Sequence, residues 1–473
     1  MTLDRRAFLA AAAAAMAGPL PAFAATGTTF SPEQFGAKGD GVTNDTRAFS
    51  ALSAEVNRRG GGTVVLSARK TYIVGAQSRG GSGRFGLNPD PILDFHDLAG
   101  PLVITGNGAR LRCQKGLRFG TFDLASGLRA DRPMPNRNKS EVATPYLAMI
   151  RAKNCKGAIA IRDVELDGNV GALEIGGKFG DKGWQIPANG LHLAGNRGPE
   201  QVDNIYSHHH ALDGVVIRGD PDRSPRSRLR RLICRDNGRQ GMSITGGRGY
   251  DFADCEFSRT GRSALHSPPG GGIDIEAEAT TIRDVSFIRC KFLDNAGAGL
   301  TVPVGDSEDV RFSDCLFVGT TNWSAWPNKP RLVFSGCTFV GALVHAYGDP
   351  DPARAARFIG CRFTDNPALS PTGKVYAGNG GQAPIVQLAG PNVAFDGCSF
   401  ELVGSAMLPA TPPTVIYKDC KMSQRSRRPA RSQGRFLGTT TIDGPVVLNG
   451  SNVEGTLTVN GRRLPRGMVI EPR

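Results

Sequence analysis

The fold is decided in the segment Leu232-Ile-Cys-Arg-Asp-Asn-Gly-Arg-Gln-Gly-Met-Ser-Ile244, which recurs in two further versions before Val302. The last version reads Cys290-Lys-Phe-Leu-Asp-Asn-Ala-Gly-Ala-Gly-Leu-Thr-Val302. Each version is an alternating run, a polar turn with Asn or Asp, a Gly and a second alternating run. Alternation with a period of two predicts β-strands, and repetition every roughly 20–50 residues indicates a solenoid. A unit this short cannot bury its own apolar face, so the copies must stack on one another.

A second repeat, Phe-x-x-Cys-x-Phe, continues the pattern towards the C terminus. It occurs at Cys290, Cys315, Cys337, Cys361 and Cys398, in steps from 22 residues (337 − 315) to 37 residues (398 − 361). Variable steps place loops of different length on one rim of a regular stack. The sequence therefore predicts an all-β fold, a single-stranded right-handed parallel β-helix. A β-propeller or a β-sandwich would lack this signature.

Composition bounds the chain further. Solenoids grow by adding coils, so 473 residues fit one long domain. The ten Cys recur at one repeat position, which predicts an internal ladder of free thiols rather than disulfides. The net charge of +14 favours a polyanionic partner such as an acidic polysaccharide, and a generically basic exported protein is the alternative.

Residues 1–24 carry the pattern of a targeting segment. Asp4-Arg5-Arg6-Ala7-Phe8-Leu9 precedes an Ala-rich apolar run and the cleavage pattern Ala22-Phe23-Ala24. This order is typical of a twin-arginine signal peptide, and a chance Arg pair before a general secretory signal is the alternative. We expect a periplasmic or secreted protein with no membrane span after signal removal.

The next segment reads Phe35-Gly-Ala-Lys-Gly-Asp-Gly-Val-Thr-Asn-Asp-Thr46. Thr43 or Asn44 is predicted to cap a helix that runs to about Arg58 and buries Ala48, Leu52 and Val56. Such a helix can plug the open end of the solenoid, where the first coil would otherwise expose a strand edge.

This segment resembles the opening of the β-helix proteins of the pectate lyase superfamily, and Arg239-Gln-Gly-Met-Ser-Ile244 and Gly272-Ile-Asp-Ile-Glu276 resemble phrases found in them. The superfamily includes polysaccharide lyases, glycoside hydrolases and phage tailspike depolymerases. The resemblance implies the fold and a glycan substrate, but the opening motif caps the helix and does not carry the chemistry.

The predicted domains are the signal peptide 1–24, the β-helix 28–435 and a C-terminal cap of short strands at 436–473. Insertions at 125–145 and 170–188 are expected to line a binding rim. The basic run from Arg425 to Arg435 lacks aromatic residues and indicates a solvated loop, so no nucleic-acid partner is predicted.

Aligning the coils on their glycines predicts which side chains face outward. The aligned residues are Gly214, Gly241, Gly272 and Gly299. In this register Asp274 and Glu276 lie two apart on one outer strand face, about 6.6–7 Å between Cα atoms. Two carboxyl groups so spaced suit an acid and a base acting across a water, as in inverting glycoside hydrolysis. A solvated polar face or a calcium site is the alternative interpretation.

The run His208-His209-His210 precedes Asp213 at the start of another coil. Strand alternation places His208 and His210 on one side and His209 on the other, so no metal site is predicted. His210 is interpreted either as a histidine stacked in a turn or as a proton-transfer group beside Asp213.

A lyase acting on a uronate needs a cation for the carboxylate and a base for the proton at C5, and four residues could supply these parts: Arg218, Arg239, Lys178 and His210. Tryptophans could stack on sugar rings. The predicted catalytic residues are Asp274, Glu276, His210, Asp213, Arg218 and Arg239, and the predicted substrate-binding residues are Trp184, Lys178, Trp323, Trp326 and His266.

The chain lacks the motifs of the polygalacturonase branch and the Asp-Pro-His-Glu phrase of β-helix mannuronan epimerases. We therefore expect neither pectin hydrolysis nor alginate epimerisation. The favoured function is a monomeric, exported lyase that cleaves an acidic glycan without a required cofactor, although Ca²⁺ is compatible. The alternatives are an inverting hydrolase that uses Asp274 and Glu276, and a non-catalytic β-helix that binds glycan or sits in the cell envelope.

Overall fold

The computed structural model describes residues 27–470 apart from 80–85, 124, 131–132, 135–141, 180–184, 279 and 379. The predicted signal peptide at 1–24 lies outside the described residues.

The chain winds into a parallel β-helix in which each coil contributes strands to three ladders. The strands of the first ladder are Thr29–Phe30, Gly62–Val65, Leu102–Cys113, Ile159–Asp167, Glu200–His208, Ser227–Arg235, Gln240–Ala253, Ile282–Ile288, Val310–Ser313, Val333–Ser335, Arg357–Ile359, Ala394–Asp396, Ile416–Lys418, Arg435–Leu437 and Asn452–Val453. Because all these strands pair in parallel, the coils stack in register.

The second ladder follows the first after a sharp bend. Four long strands run through the bend into it: Leu102–Cys113, Ile159–Asp167, Glu200–His208 and Ser227–Arg235. Its other strands are Asp40–Asn44, Thr71–Val74, Glu256–Ser258, Lys291–Leu293, Leu316–Val318, Thr338–Val340, Arg362–Thr364, Ser399–Leu402, Lys421–Gln424, Thr439–Asp443 and Thr456–Val459.

The third ladder carries the residues on which function depends. Its strands are Leu93–His96, Ala148–Lys153, Asn189–Ala194, Asp213–Arg218, the first part of Gln240–Ala253, Gly271–Ile275, Leu300–Val302, Trp326–Pro327, Val344–Tyr347 and Val386–Ala389. The glycine register predicted from the sequence is confirmed, because Asp213 pairs with Gln240 and Gln240 pairs with Gly271.

Several short elements lie outside the three ladders. They are the 3-10 helices Pro32–Phe35, Val170–Ala172 and Pro367–Leu369, and the strand pairs Gln77–Arg79 with Leu87–Pro89, Arg118–Phe119 with Glu174–Ile175, and Pro133–Met134 with Lys178–Phe179.

A left-handed residue makes the bend between the first and second ladders. Asp314, with φ of 53°, and Gly336, with φ of 63°, occupy this position in successive coils. Asp, Asn and Gly adopt this backbone region at little cost, so the turn residues of the repeat specify the bend.

Two columns of aromatic rings fill the core beside this bend. One column contains Phe287, Phe312 and Phe334, with 4.9 Å between successive ring centroids. The other contains Phe292 and Phe317, with ring centroids 4.5 Å apart. All these rings are fully buried, so the Phe-x-x-Cys-x-Phe repeat builds a continuous apolar core.

The cysteines are free and buried at all ten positions, as predicted. Cys315 lies between the two strands of its coil, with its thiol 3.4 Å from the Ser313 carbonyl oxygen and 3.6 Å from the Phe287 carbonyl oxygen of the preceding coil. The ladder thus consists of small apolar thiols held by weak hydrogen bonds.

The helix Thr46–Arg59 covers the N-terminal end of the stack and buries Ala48, Leu52 and Val56, as predicted. The helix begins after Asp45, and of the two predicted capping residues Asn44 accepts the N–H of Thr46 with its side chain, at 3.0 Å. The Asp45 carboxylate instead accepts the backbone N–H groups of Lys38 and Gly39, at 2.7 and 3.0 Å.

The parallel ladders continue beyond the domain boundary predicted at residue 436. Thr439–Asp443 still pairs in parallel with Thr456–Val459. The antiparallel pairing of Thr456–Val459 with Arg462–Leu464 then ends this order. Thr and Val suit a further coil as well as a separate cap, so the cap at 436–473 stays a prediction.

Candidate functional site

One outward-facing column of the third ladder collects polar side chains. We call it the site column; its members in stacking order are Asp94, Arg151, His192, Val216, Ser243, Asp274, Thr301 and Trp326. The residues on either side of it in the strands, such as Ile244 and Ile275, point into the core and are fully buried. Strand alternation therefore fixes the outward direction of the column.

Asp274 lies in the middle of the site column and is only 5 % exposed. Its carboxyl group accepts hydrogen bonds from the Gln240 amide at 3.1 Å and the Thr301 hydroxyl at 3.0 Å. It forms no ion pair within the part of the chain that the structure describes. Burial and the nearby charge of Glu276 raise its pKa to about 7. Asp274 can therefore hold a proton near neutral pH.

Asp213 is a second buried carboxyl group on this face. It begins its strand, and one of its oxygens accepts the Ser243 hydroxyl at 2.7 Å. Burial raises its pKa, while the Arg239 guanidinium, whose nearest nitrogen is 4.0 Å away, opposes that shift. Ser243 is the register neighbour of Asp274. Both carboxyl groups thus meet at the same part of the site column.

Three polar atoms of this cluster are buried without a hydrogen-bond partner: Oδ1 of Asp213, Nε of Arg239 and Oε1 of Gln240. Leaving such atoms unpaired costs about 1–3 kcal/mol each. Native proteins keep them chiefly where a ligand or an ordered water satisfies them. These three atoms make the cluster a candidate binding site.

Glu276 and Arg218 lie at the C-terminal ends of strands of the third ladder. Glu276 is half-buried and follows Asp274 by two residues, as predicted. Arg218 is exposed at the end of its strand, and a register irregularity there pairs it with Gly246. The structure thus brings five predicted catalytic residues to one outer surface: Asp213, Arg218, Arg239, Asp274 and Glu276.

The site column also contains a histidine that sequence reasoning missed. His192 is flanked by Arg151 and Val216 in the register, and burial together with the Arg151 charge lowers its pKa to about 4. Gly190 aligns with Gly214, so extending the glycine register by one coil would have placed His192 on this face.

A cavity of about 180 Å³ opens towards the N-terminal end of the same column. Its lining includes Asp94 and Arg151, which form a two-pronged ion pair with one contact of 2.7 Å. The cavity lies away from Asp274, so the cavity and the carboxyl cluster are two separate features of the site column.

Aromatic side chains lie on the opposite side of Asp274. Trp326 is two register steps from Asp274, about 10 Å along the stack. Its ring centroid is 6.4 Å from that of Trp323 and 5.9 Å from that of His345. Both tryptophans are only partly buried, as sugar-stacking residues must be.

His210 does not belong to this surface. It is fully buried, with its Nδ1 2.9 Å from the Tyr146 hydroxyl and its Nε2 3.1 Å from the Leu166 carbonyl oxygen. Burial lowers its pKa to about 3. The structure therefore corrects the proton-transfer interpretation and supports the alternative, a histidine stacked in a turn.

The expected opposition of His208 and His209 is also wrong. His209 has a left-handed backbone, with φ of 53°, so the strand alternation stops at His208. The Nδ1 atoms of the two imidazoles consequently lie only 2.6 Å apart.

Of the three remaining predicted binding residues, two have no described side chain and one lies on a loop. Trp184 lies outside the described residues, and only the backbone of Lys178 is described, in a strand paired with Pro133–Met134. His266 is exposed on the loop before Gly271, where its ring packs against Gly261 and Gly270. Among the described residues, no helix has the length and apolar character to cross a membrane.

Comparison with known proteins supports the fold. No family model matches the chain. The A-modules of the Azotobacter vinelandii mannuronan C-5 epimerases AlgE4 and AlgE6 have TM-scores of 0.55 and 0.50 at 15% identity, covering 89% and 91% of this chain and 98% of each module. The fold is a right-handed parallel β-helix. At such low identity the likeness concerns the fold alone.

One curated protein shares a short segment with this chain. "Depolymerase 1, capsule KN3-specific" of Klebsiella phage KN3-1 is 50% identical over 44 residues, which are 9% of this chain and 6% of that protein.

Proposed function

We propose that this protein is an exported hydrolase of an anionic glycan, with the carboxyl cluster of the site column as its catalytic centre. The single observation that carries the proposal is the buried Asp274, whose pKa of about 7 leaves it protonated near neutral pH among unpaired polar atoms. A carboxylic acid kept neutral in this way is suited to protonate a leaving glycosidic oxygen.

In this mechanism Asp274 is the general acid and Glu276 is the general base. Glu276 directly follows the strand that carries Asp274 and is close enough for its charge to raise the pKa of Asp274, and its greater exposure gives water access to it. An inverting hydrolase needs room for one water between the base and the sugar. The charge of Glu276 contributes to the raised pKa of Asp274, which favours Asp274 as the acid of the pair.

Asp213 and Arg239 hold and orient the substrate in this proposal. The free Oδ1 of Asp213 can accept a sugar hydroxyl, and the free Nε of Arg239 can donate to a sugar oxygen or a uronate. Trp326 continues the same face and offers a platform for a further sugar ring. The net charge of +14 supports a substrate with acidic groups. The short similarity to a phage capsule depolymerase supports a glycan substrate.

A lyase remains the second candidate because Arg239 and Arg218 could neutralise a uronate. The geometry supports it less well than hydrolysis, since His210 is inside the coil and His192, whose pKa is lowered to about 4 by burial and the Arg151 charge, is a weak base.

The test incubates the mature protein with a panel of acidic and neutral polysaccharides and reads reducing ends together with the ultraviolet absorbance of unsaturated uronates. A hydrolase yields reducing ends without absorbance, and a lyase yields both. We expect Asp274→Asn and Glu276→Gln to lower the rate by about 100-fold or more. The exposed carboxyl variant Asp443→Asn is the matched control and should keep full activity.

The rate should fall as pH rises through about 7, because only protonated Asp274 can act as the acid. If reducing ends and ultraviolet absorbance appear together, the reaction is elimination and not hydrolysis. Glycan binding without either signal, unchanged in Asp274→Asn, would point to a non-catalytic binding protein.

A further inference from the structure

We propose that Asp167, His208 and His209 form a binding site for a divalent metal ion of the zinc class. The three side chains offer one carboxylate oxygen and two imidazole nitrogens, all within 4.8 Å of one another. Asp167 and His208 are register neighbours in successive coils, so an ion held here would join two coils.

The hydrogen bonds around His208 leave its Nδ1 as the ligand atom. Its Nε2 lies 3.0 Å from an oxygen of Glu165, a group that can only accept when ionised. Nε2 therefore carries the hydrogen, and Nδ1 presents a lone pair towards His209 and Asp167. A carboxylate that fixes a histidine in this way is the usual outer partner of a metal-binding imidazole.

His209 has the left-handed backbone that this corner also adopts in later coils, as at Asp236 and Asp294. Its left-handed φ of 53° turns the ring back so that its Nδ1 lies 2.6 Å from the Nδ1 of His208. Around a tetrahedral ion with bonds of about 2.0–2.1 Å, ligand atoms lie about 3.3 Å apart, so small ring rotations would admit the ion.

The two carboxylate oxygens of Asp167 have different neighbours. Its Oδ2 lies 3.5 Å from Nε of Arg112, whereas its Oδ1 accepts the Asn169 N–H at 2.9 Å and lies 3.9 Å from Nδ1 of His208. One lone pair of Oδ1 therefore remains for an ion.

The ligand set determines the kind of metal. Two imidazoles and one carboxylate suit Zn²⁺, Ni²⁺ or Co²⁺, whereas Ca²⁺ and Mg²⁺ prefer oxygen ligands throughout. His208 is also held by the Tyr206 ring, stacked at 4.1 Å between centroids, which orients the imidazole before binding. This site is separate from the carboxyl cluster of the site column and does not depend on glycan cleavage.

The test titrates tag-free, chelator-treated protein with Zn²⁺ by calorimetry and with Co²⁺ by visible absorption. We expect one ion per chain, a tetrahedral-type Co²⁺ spectrum and a rise in Tm with Zn²⁺. His209→Asn keeps a residue that tolerates the left-handed backbone but removes the imidazole, and should weaken Zn²⁺ binding by about 100-fold or more.

Asp167→Asn is a second variant, which keeps an acceptor for the Asn169 N–H and should weaken binding by at least about 10-fold. His96→Gln is the control, because His96 is exposed beside a single carboxylate, Asp97, at 3.0 Å. Absence of Zn²⁺ binding by the wild-type chain would overturn the proposal. Equal binding by the wild type, His209→Asn and Asp167→Asn would overturn it as well.

Discussion

Replacing Asp274 by Asn should make the protein more stable at alkaline pH than the wild type. The wild-type carboxyl group must ionise there inside a nearly closed environment, whereas the amide cannot ionise. The amide also finds its partners, because Gln240 can turn its unpaired Oε1 towards the new N–H group and Thr301 can still donate to the oxygen. The substitution therefore isolates the cost of the buried charge.

The magnitude follows from the pKa of Asp274. It is about 7 in the folded chain against 3.8 for the ordinary group, a difference of 3.2 pH units. At 1.36 kcal/mol per unit, this is about 4 kcal/mol of unfolding free energy. Because the folded pKa is raised, the stabilising effect is full below pH 3.8 and is lost as pH rises to about 7.

The assay compares urea denaturation midpoints of the wild type and Asp274→Asn between pH 4 and 8. The variant should gain about 4 kcal/mol on the wild type across this interval, with most of the change complete by pH 7. Asp443→Asn, an exposed carboxyl at the far end of the stack, should show no comparable pH-dependent gain. A constant difference between wild type and Asp274→Asn at all pH values would refute the reasoning.

Three further outcomes are expected. Phe312→Ala should cost about 3–5 kcal/mol in chemical denaturation and Phe312→Leu much less, because Leu keeps most of the apolar burial and loses only the four ring contacts of Phe312; equal costs would disprove the dominant role of apolar burial. A thiol reagent should label no cysteine in the native protein and ten after denaturation without reductant, and fewer than ten would reveal disulfides. Trp326→Ala should weaken glycan binding by about 5- to 30-fold in a direct binding assay, and unchanged affinity would remove Trp326 from the substrate path.

The fold could be predicted because successive coils repeat the same alternation of inward and outward residues and the same glycine. Alternation sets which residues face inward, and the shared glycine sets the register, so the outward position of Asp274 followed directly. The pairing of Asp213 with Ser243 could not be read in this way, because it depends on a side chain reaching across to the next coil.

The histidine run shows where alternation fails. It holds only while the backbone remains extended, and His209 leaves the extended region. The residue after it, His210, is consequently carried inside, although counting by twos from His208 places both on one side. The left-handed φ of His209 thus changes which side chains of the turn face inward. The amino-acid composition does not indicate this angle.

The bend between the first two ladders is the same in successive coils, whereas the corner between the second and third ladders is not. Strands on either side of the bend are separated by two residues, as at Ser313 and Leu316. At the other corner the chain runs from Val340 directly towards Val344 in one coil and from Thr364 to Val386 in the next. New sequence can therefore enter beside the site column without disturbing the rings and thiols opposite it. Such a scaffold can acquire a different glycan specificity through changes in the length of a few loops, while the core residues that determine the fold stay the same.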